Sequence, residues 1–270
     1  MPVEVFFRRL VPTGTEYVTA PREALIIEEV GFKDEGEYKF LIDRKETTPL
    51  LGPLPYYDDT KTYGSKPLSL GAFPVVVPPE TAWSVEGTPA TTVLLIGRKV
   101  QLGIGEAIPD EITRRFAEQY NRYLKIYKGS ISLAVNQAWA AGAELTALQF
   151  TTLANERVTF NGPVLVRWSG FTLNPGNVVL RFYMDGRPIE NVYRTGWEPG
   201  IDLKTLTTVS EYRSYGAPLF SLERLPIVIN PNTVFTVTME NVSGANITPA
   251  SGQAINIELW LLAVYEKGVG

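Results

Sequence analysis

Phe73 to Val85 reads FPVVVPPETAWSV, and Leu225 to Val237 reads LPIVINPNTVFTV. The two align without a gap, so Pro74, Val76, Pro79, Thr81 and Val85 recur as Pro226, Val228, Pro231, Thr233 and Val237. The other changes are mostly like for like, Trp83 for Phe235 and Val75 for Ile227 among them. Each copy is a β-rich run, a proline-centred turn and an alternating run of strand type. A chain of 270 residues with such a self-match reads as one sheet-forming unit written twice.

Working outward, further blocks recur in the same order. Glu16 to Thr19 parallels Glu156 to Thr159, Leu25-Ile26 parallels Leu165-Val166, and Gly31-Phe32 parallels Gly170-Phe171. Tyr38 to Asp43 (YKFLID) parallels Leu180 to Asp185 (LRFYMD), and Phe7 and Leu10 parallel Phe150 and Leu153. Turn chemistry separates the runs at Lys33 to Gly36, Asn174 to Asn177, Asp185-Gly186, Pro78-Pro79 and Asn230 to Asn232. Short strands at this spacing build antiparallel sandwiches or barrels rather than parallel sheets with crossover helices. The expected fold is therefore all-β: two tandem antiparallel β-sandwich repeats joined by one long amphipathic helix. The repeats fall at residues 1–105 and 145–270, the second with longer loops, and 106–144 link them.

The helix is expected from Pro109 at its first position to Gly129 at its stop, with Asp110 and Glu111 at the positive end of the dipole. Ile112, Phe116, Tyr120, Tyr123, Leu124 and Tyr127 fall on one face, and Glu111–Arg115 and Glu118–Arg122 have ion-pair spacing on the other. It would brace one repeat against the other. In residues 130–144, Ile131, Leu133 and Val135 alternate as a strand while the alanines could be helical.

Composition narrows the chemistry. There is no cysteine and no histidine, which excludes disulfides, thiolate metal sites, thiol nucleophiles and Ser-His-Asp catalysis. A net charge of −4 argues against a phosphate-tracking nucleic-acid binder. The longest apolar runs, such as Trp260 to Tyr265, are too short to span a membrane, and the N-terminus lacks the polarity of a secretory signal. Leu102-Gly103-Ile104-Gly105-Glu106 lacks a third glycine and a P-loop lysine and reads as a linker turn.

Carboxylates adjoin at Glu28-Glu29, Asp34-Glu35 and Asp58-Asp59. Neighbours on a strand face opposite ways, and Asp34-Glu35 reads as a hairpin turn. Asp58-Asp59, in a Pro/Tyr-rich loop, is where a carboxylate hydrolase or a calcium site would be sought. Trp83, Trp168, Phe235 and Trp260 sit in strand patterns and are expected in the core. Tyr56, Tyr57, Tyr63, Tyr193, Trp197, Tyr212 and Tyr215 sit in the long loops and are the candidates for contact with a partner or glycan. No cofactor, metal site or catalytic residue is expected.

The strand ending IDRK or MDGRPI, followed by the L-P-hydrophobic-P-x-T-hydrophobic-aromatic block, resembles the jelly-roll modules of virion structural proteins. Decoration and tail-appendage proteins are among these, and two modules in one chain resemble double jelly-roll capsid proteins. The resemblance implies a bacteriophage or virus building block without catalysis. It would assemble with itself as a homotrimer and with other virion proteins, in the host cytoplasm. A receptor- or glycan-binding appendage and a carboxylate-dependent glycoside hydrolase are the alternatives. Abundant proline and arginine would suit a thermophilic source.

Overall fold

The computed structural model describes residues 2–34, 37–47, 67–88, 91–170, 173–189, 194–195, 198–208, 211 and 218–269. The chain divides into two compact units, largely residues 1–125 and largely residues 126–270. The fold is all-β, in several mainly antiparallel sheets.

In the first unit the strands are β1 (Val3–Leu10), β2 (Tyr17–Val18), β3 (Glu23–Phe32), β4 (Glu37–Ile42), β5 (Lys45–Glu46), β6 (Leu68–Ser69), β7 (Val75–Val77), β8 (Ala82–Thr88) and β9 (Val93–Gln101). One sheet runs β1-β9-β3, with β6 and β7 both on the far side of β3, and the other runs β2-β8-β4-β5. Inward residues of both sheets close the core around Trp83, which stacks on Phe40 at 5.5 Å and lies 4.9 Å from Tyr17.

After the helix α1 (Asp110–Glu118), the second unit uses β10 (Arg122–Leu133), β11 (Glu144–Thr151), β12 (Glu156–Ser169), β13 (Val178–Met184), β14 (Arg187–Pro188), β15 (Arg194–Thr195), β16 (Glu198–Pro199), β17 (Ile201–Asp202), β18 (Thr207–Thr208), β19 (Phe220–Ser221), β20 (Ile227–Ile229), β21 (Val234–Asn241) and β22 (Ile255–Lys267). One sheet runs β10-β22-β12, with β18, β19 and β20 beyond β12; the other runs β11-β21-β13-β14, with β17 also on β13. β15 and β16 form a separate ribbon. Phe235 occupies the place of Trp83, 5.6 Å from Phe150, 5.0 Å from Phe160 and 6.3 Å from Phe182.

The same places in the two strand orders carry the same register. Leu25, Ile26 and Ile27 face Val77, Val76 and Val75, while Val158, Thr159 and Phe160 face Ile229, Val228 and Ile227. Each third strand then slips against the last strand of its unit, between Ile27 and Glu29 in one and between Phe160 and Val164 in the other. Each unit also has a buried threonine that staples the proline turn. Thr19 donates its hydroxyl to the Pro78 carbonyl at 2.5 Å and accepts from the Thr81 amide at 3.0 Å. Thr152 does the same to Asn230 at 2.6 Å and from Thr233 at 3.0 Å. Both turns hold a residue in the left-handed region, Glu80 at φ 54° and Asn232 at φ 57°.

This geometry corrects part of the sequence alignment. Glu16 to Thr19 is matched by Gln149 to Thr152, not by Glu156 to Thr159, and Leu25 by Val158, not Leu165. Phe7 and Phe150 belong to different strands, β1 and β11. Hydrophobic strands resemble one another, so type alone tolerated the shift. Hydrogen-bond partners do not.

The helix is corrected too. It covers Asp110–Glu118 only, and Arg122–Leu133 is the strand β10. Tyr123, Tyr127, Ile131 and Leu133 also satisfy a period of two, and β10 pairs with β22 along one side. Gly129 is not a helix stop. It lies inside β10, where a Cβ would meet the Ala147 carbonyl at 2.7 Å and Leu148 at 2.9 Å.

Within its own unit α1 seals a sheet edge. Ile112 packs on Ala24, Ile26, Val76, Val100 and Leu102, with Phe116 beside it. The wholly buried Gln119 accepts from the Val76 amide at 3.0 Å and donates to the Val76 carbonyl at 3.0 Å, supplying what a further strand would have supplied. Arg115, expected on the exposed side, is buried instead. It donates to the Pro74 carbonyl at 3.0 Å and the Arg122 carbonyl at 3.1 Å, and lies over the Phe73 ring.

Candidate functional site

The seven contact candidates, Tyr56, Tyr57, Tyr63, Tyr193, Trp197, Tyr212 and Tyr215, lie outside the described residues, as do Asp58, Asp59 and Glu35. Of the four core aromatics, Trp83, Phe235 and Trp260 are buried; Trp168 is only half-buried. Trp139, which the strand pattern did not single out, is buried and donates its indole N–H to the Ala143 carbonyl at 2.9 Å.

Among the remaining carboxylates, Glu28 sits at the slip between β3 and β9 and is held by Arg98 at 2.8 Å. In the glycine turn the Glu106 carboxylate accepts from the Gly103 amide at 2.7 Å. That side chain takes the position a phosphate would need at this N–H.

The order β10-β22-β12 brings together a polar cleft that the sequence reading did not find. About 230 Å³ in volume, it is lined by Ser130, Ile131, Ser132, Arg167, Ser169, Asn256 and Glu258. Register explains the grouping, since Arg167 faces Glu258 and Ser169 faces Asn256 across the β12–β22 ladder. Ser132 Oγ lies 2.6 Å from Asn256 Oδ1, and Arg167 Nη1 lies 3.4 Å from Glu258. The Arg167 guanidinium covers the Trp260 ring at 5.3 Å, so that ring offers no free face for stacking. With one carboxylate held against one guanidinium, the lining provides hydroxyl and amide hydrogen bonding with little net charge. It holds a single carboxylate, whereas glycosidic cleavage uses two.

A second polar cluster spans β11, β21 and β13. Tyr183 donates to Glu144 at 2.7 Å, Thr238 donates to the same carboxylate at 2.5 Å, and Arg181 Nε reaches Glu240 at 2.7 Å. Burial first, and then the Glu144 carboxylate, push the Tyr183 phenol up to about 12, so it stays a protonated donor at neutral pH. The cluster clamps three strands together and exposes no activated group. No group of three or more metal-ligating side chains occurs among the described residues, and no helix among them is long and apolar enough to cross a membrane.

No protein-family model and no curated protein matches the chain. Among solved structures it is similar to the major capsid protein P2 of bacteriophage PM2, at 8% identity and TM-score 0.29, covering 97% of this chain and 98% of that one. It is also similar to the infectious bursal disease virus VP2 subviral particle, at 12% identity and TM-score 0.21, covering 96% and 63%. The protein BuGH86, solved with neoagarooctaose, matches at 10% identity and TM-score 0.24, covering 92% of this chain and 33% of that one. Each of these scores is below 0.30, so none assigns a role to this chain.

Proposed function

We propose that this chain is a virion structural protein, a capsid or capsid-associated building block of a virus or phage that self-assembles without catalysis. One observation carries the reading. The first strand, the last, the third and the strand before the proline turn make one sheet, and the second, the strand after that turn, the fourth and its hairpin partner make the other. That is the strand order of a jelly roll, an architecture used by capsid and lectin domains. It occurs in both units, with the same threonine staple in each. Two tandem jelly rolls derived from one duplicated unit form a brick with no need of a titrating side chain. Self-association as a homotrimer, contact with other virion proteins and assembly in the host cytoplasm belong to the same proposal. Light scattering at rising protein concentration tests it. Trimers or larger assemblies are expected, and a chain that forms neither at any concentration overturns it.

The polar cleft on β10, β22 and β12 favours a second reading, a receptor- or glycan-binding appendage of the same architecture. A glycan array decides it, with any signal expected to fall in both Arg167→Ala and Trp197→Ala. A blank array with the intact chain overturns this reading.

A further inference from the structure

The two units differ at one equivalent place, the outer edge of the first strand. β1 and β10 each open a unit, and each pairs with the last strand, β9 or β22, on one side. Among the described residues no strand pairs the other side of either. On β1, Phe6 and Arg8 turn inward, Phe6 against Trp83 and Arg8 over Tyr17 at 3.8 Å. Val3, Val5 and Phe7 therefore turn outward, and they are 54%, 83% and 58% exposed. On β10 the matching outward positions are Arg122, Leu124 and Ile126, because Tyr127 stacks on Phe150 at 4.5 Å as Arg8 covers Tyr17; Leu124 is buried and Ile126 half-buried. The second unit covers its apolar pair; the first leaves valine and phenylalanine exposed along an eight-residue edge strand.

From this contrast we infer that β1 is a self-pairing edge, which binds β1 of a second copy in antiparallel register centred on Phe6. The occupant follows from charge and shape. About a two-fold axis normal to the sheet, residues of like face must meet. Glu4, which also pairs with Lys99 of its own chain at 2.9 Å, then lies opposite Arg8 of the second copy and Arg8 opposite its Glu4, while Val5 meets Phe7 and Phe7 meets Val5. The strand VEVFFRRL carries its acid toward one end and its two arginines toward the other, so an antiparallel copy places unlike charges together and a parallel copy would not. One strand pair buries less than the roughly 800 Å² per partner of a standard stable interface. The contact is therefore weak alone and gains strength where many copies are held together. The inference does not depend on the virion reading.

The absence of native cysteine makes the test direct. Cross-strand neighbours have Cα separations of roughly 4.5–5.5 Å, within disulfide range. Chains carrying Val5→Cys and chains carrying Phe7→Cys are mixed at high concentration and oxidised. The mixed disulfide dimer is expected at least tenfold above either homodimer, and above a Val18→Cys control, whose residue is exposed on β2 of the opposite sheet. Circular dichroism of each variant confirms that it is folded. Equal yields in all mixtures overturn the inference, as does a homodimer exceeding the mixed dimer. In sedimentation at high concentration, Val5→Lys is expected to remove the association. Cross-linking in a chain that forms no trimer would keep this inference and sink the virion reading; trimers without the mixed disulfide would do the reverse.

Discussion

Two threonines hold as much of the design as any large side chain. Thr19 and Thr152 each bond a carbonyl and an amide across a proline turn, and both are buried. Replacing either with valine keeps the shape but leaves the Thr81 or Thr233 amide without this acceptor. A loss of about 1–3 kcal/mol is expected for each, measured by denaturant unfolding, and serine at the same place should recover most of it. Tyr183 gives a second prediction at this scale. Its phenol is raised in the folded chain to about 12, from an ordinary 10.0. The raised group contributes stability that is fully present below the unfolded value and is lost as pH rises through the folded one. Alkaline unfolding should therefore steepen between about 10 and 12, and ultraviolet titration should show a late tyrosine component that Tyr183→Phe removes. In Glu144→Gln that tyrosine should titrate earlier without returning fully to the ordinary value, because burial is the larger cause.

Among the elements, α1 shows what periodicity can and cannot decide. Ile112 and Phe116 do face a core, as their spacing predicts, and Asp110 and Glu111 do sit in the first turn. The expected continuation failed because Tyr123 and Tyr127 satisfy both the helical and the strand period. Only long-range pairing with β22 decides between them. Likewise the proline-turn blocks were legible, being contiguous and rich in turn residues, whereas the polar cleft draws its walls from β10, β12 and β22. No local pattern joins Ser132 to Asn256. Gln119 was hidden for the same reason, its function lying in the backbone of a distant strand. Gln119→Ala should expose both edge groups of Val76 and cost roughly 2 kcal/mol or more. Hydrogen exchange would show the loss as faster exchange at Val76 than in the intact chain.

At the scale of the whole molecule, each unit has both of its sheets and its own aromatic cluster within a continuous stretch of chain. A fragment of residues 122–270 is thus expected to fold alone, with a single cooperative transition followed by tryptophan emission. Trp83 is the one tryptophan of the first unit in the sequence, so Trp83→Phe in the full chain should leave a fluorescence transition that follows the second unit. A fragment that stays unfolded would show that neither half is self-sufficient.

The matched registers carry one more consequence, for folding. β7 (Val75–Val77) and β20 (Ile227–Ile229) are three-residue apolar strands that seat against β3 and β12 in the same way, so each groove is shaped to accept the other's ligand. What sorts them is the tether itself. The four residues 78–81 join β7 to β8, and the four residues 230–233 join β20 to β21. So short a leash gives the correct strand a local concentration that its counterpart cannot match. Lengthening either tether would let each short strand compete for the other's place and so favour misassembly.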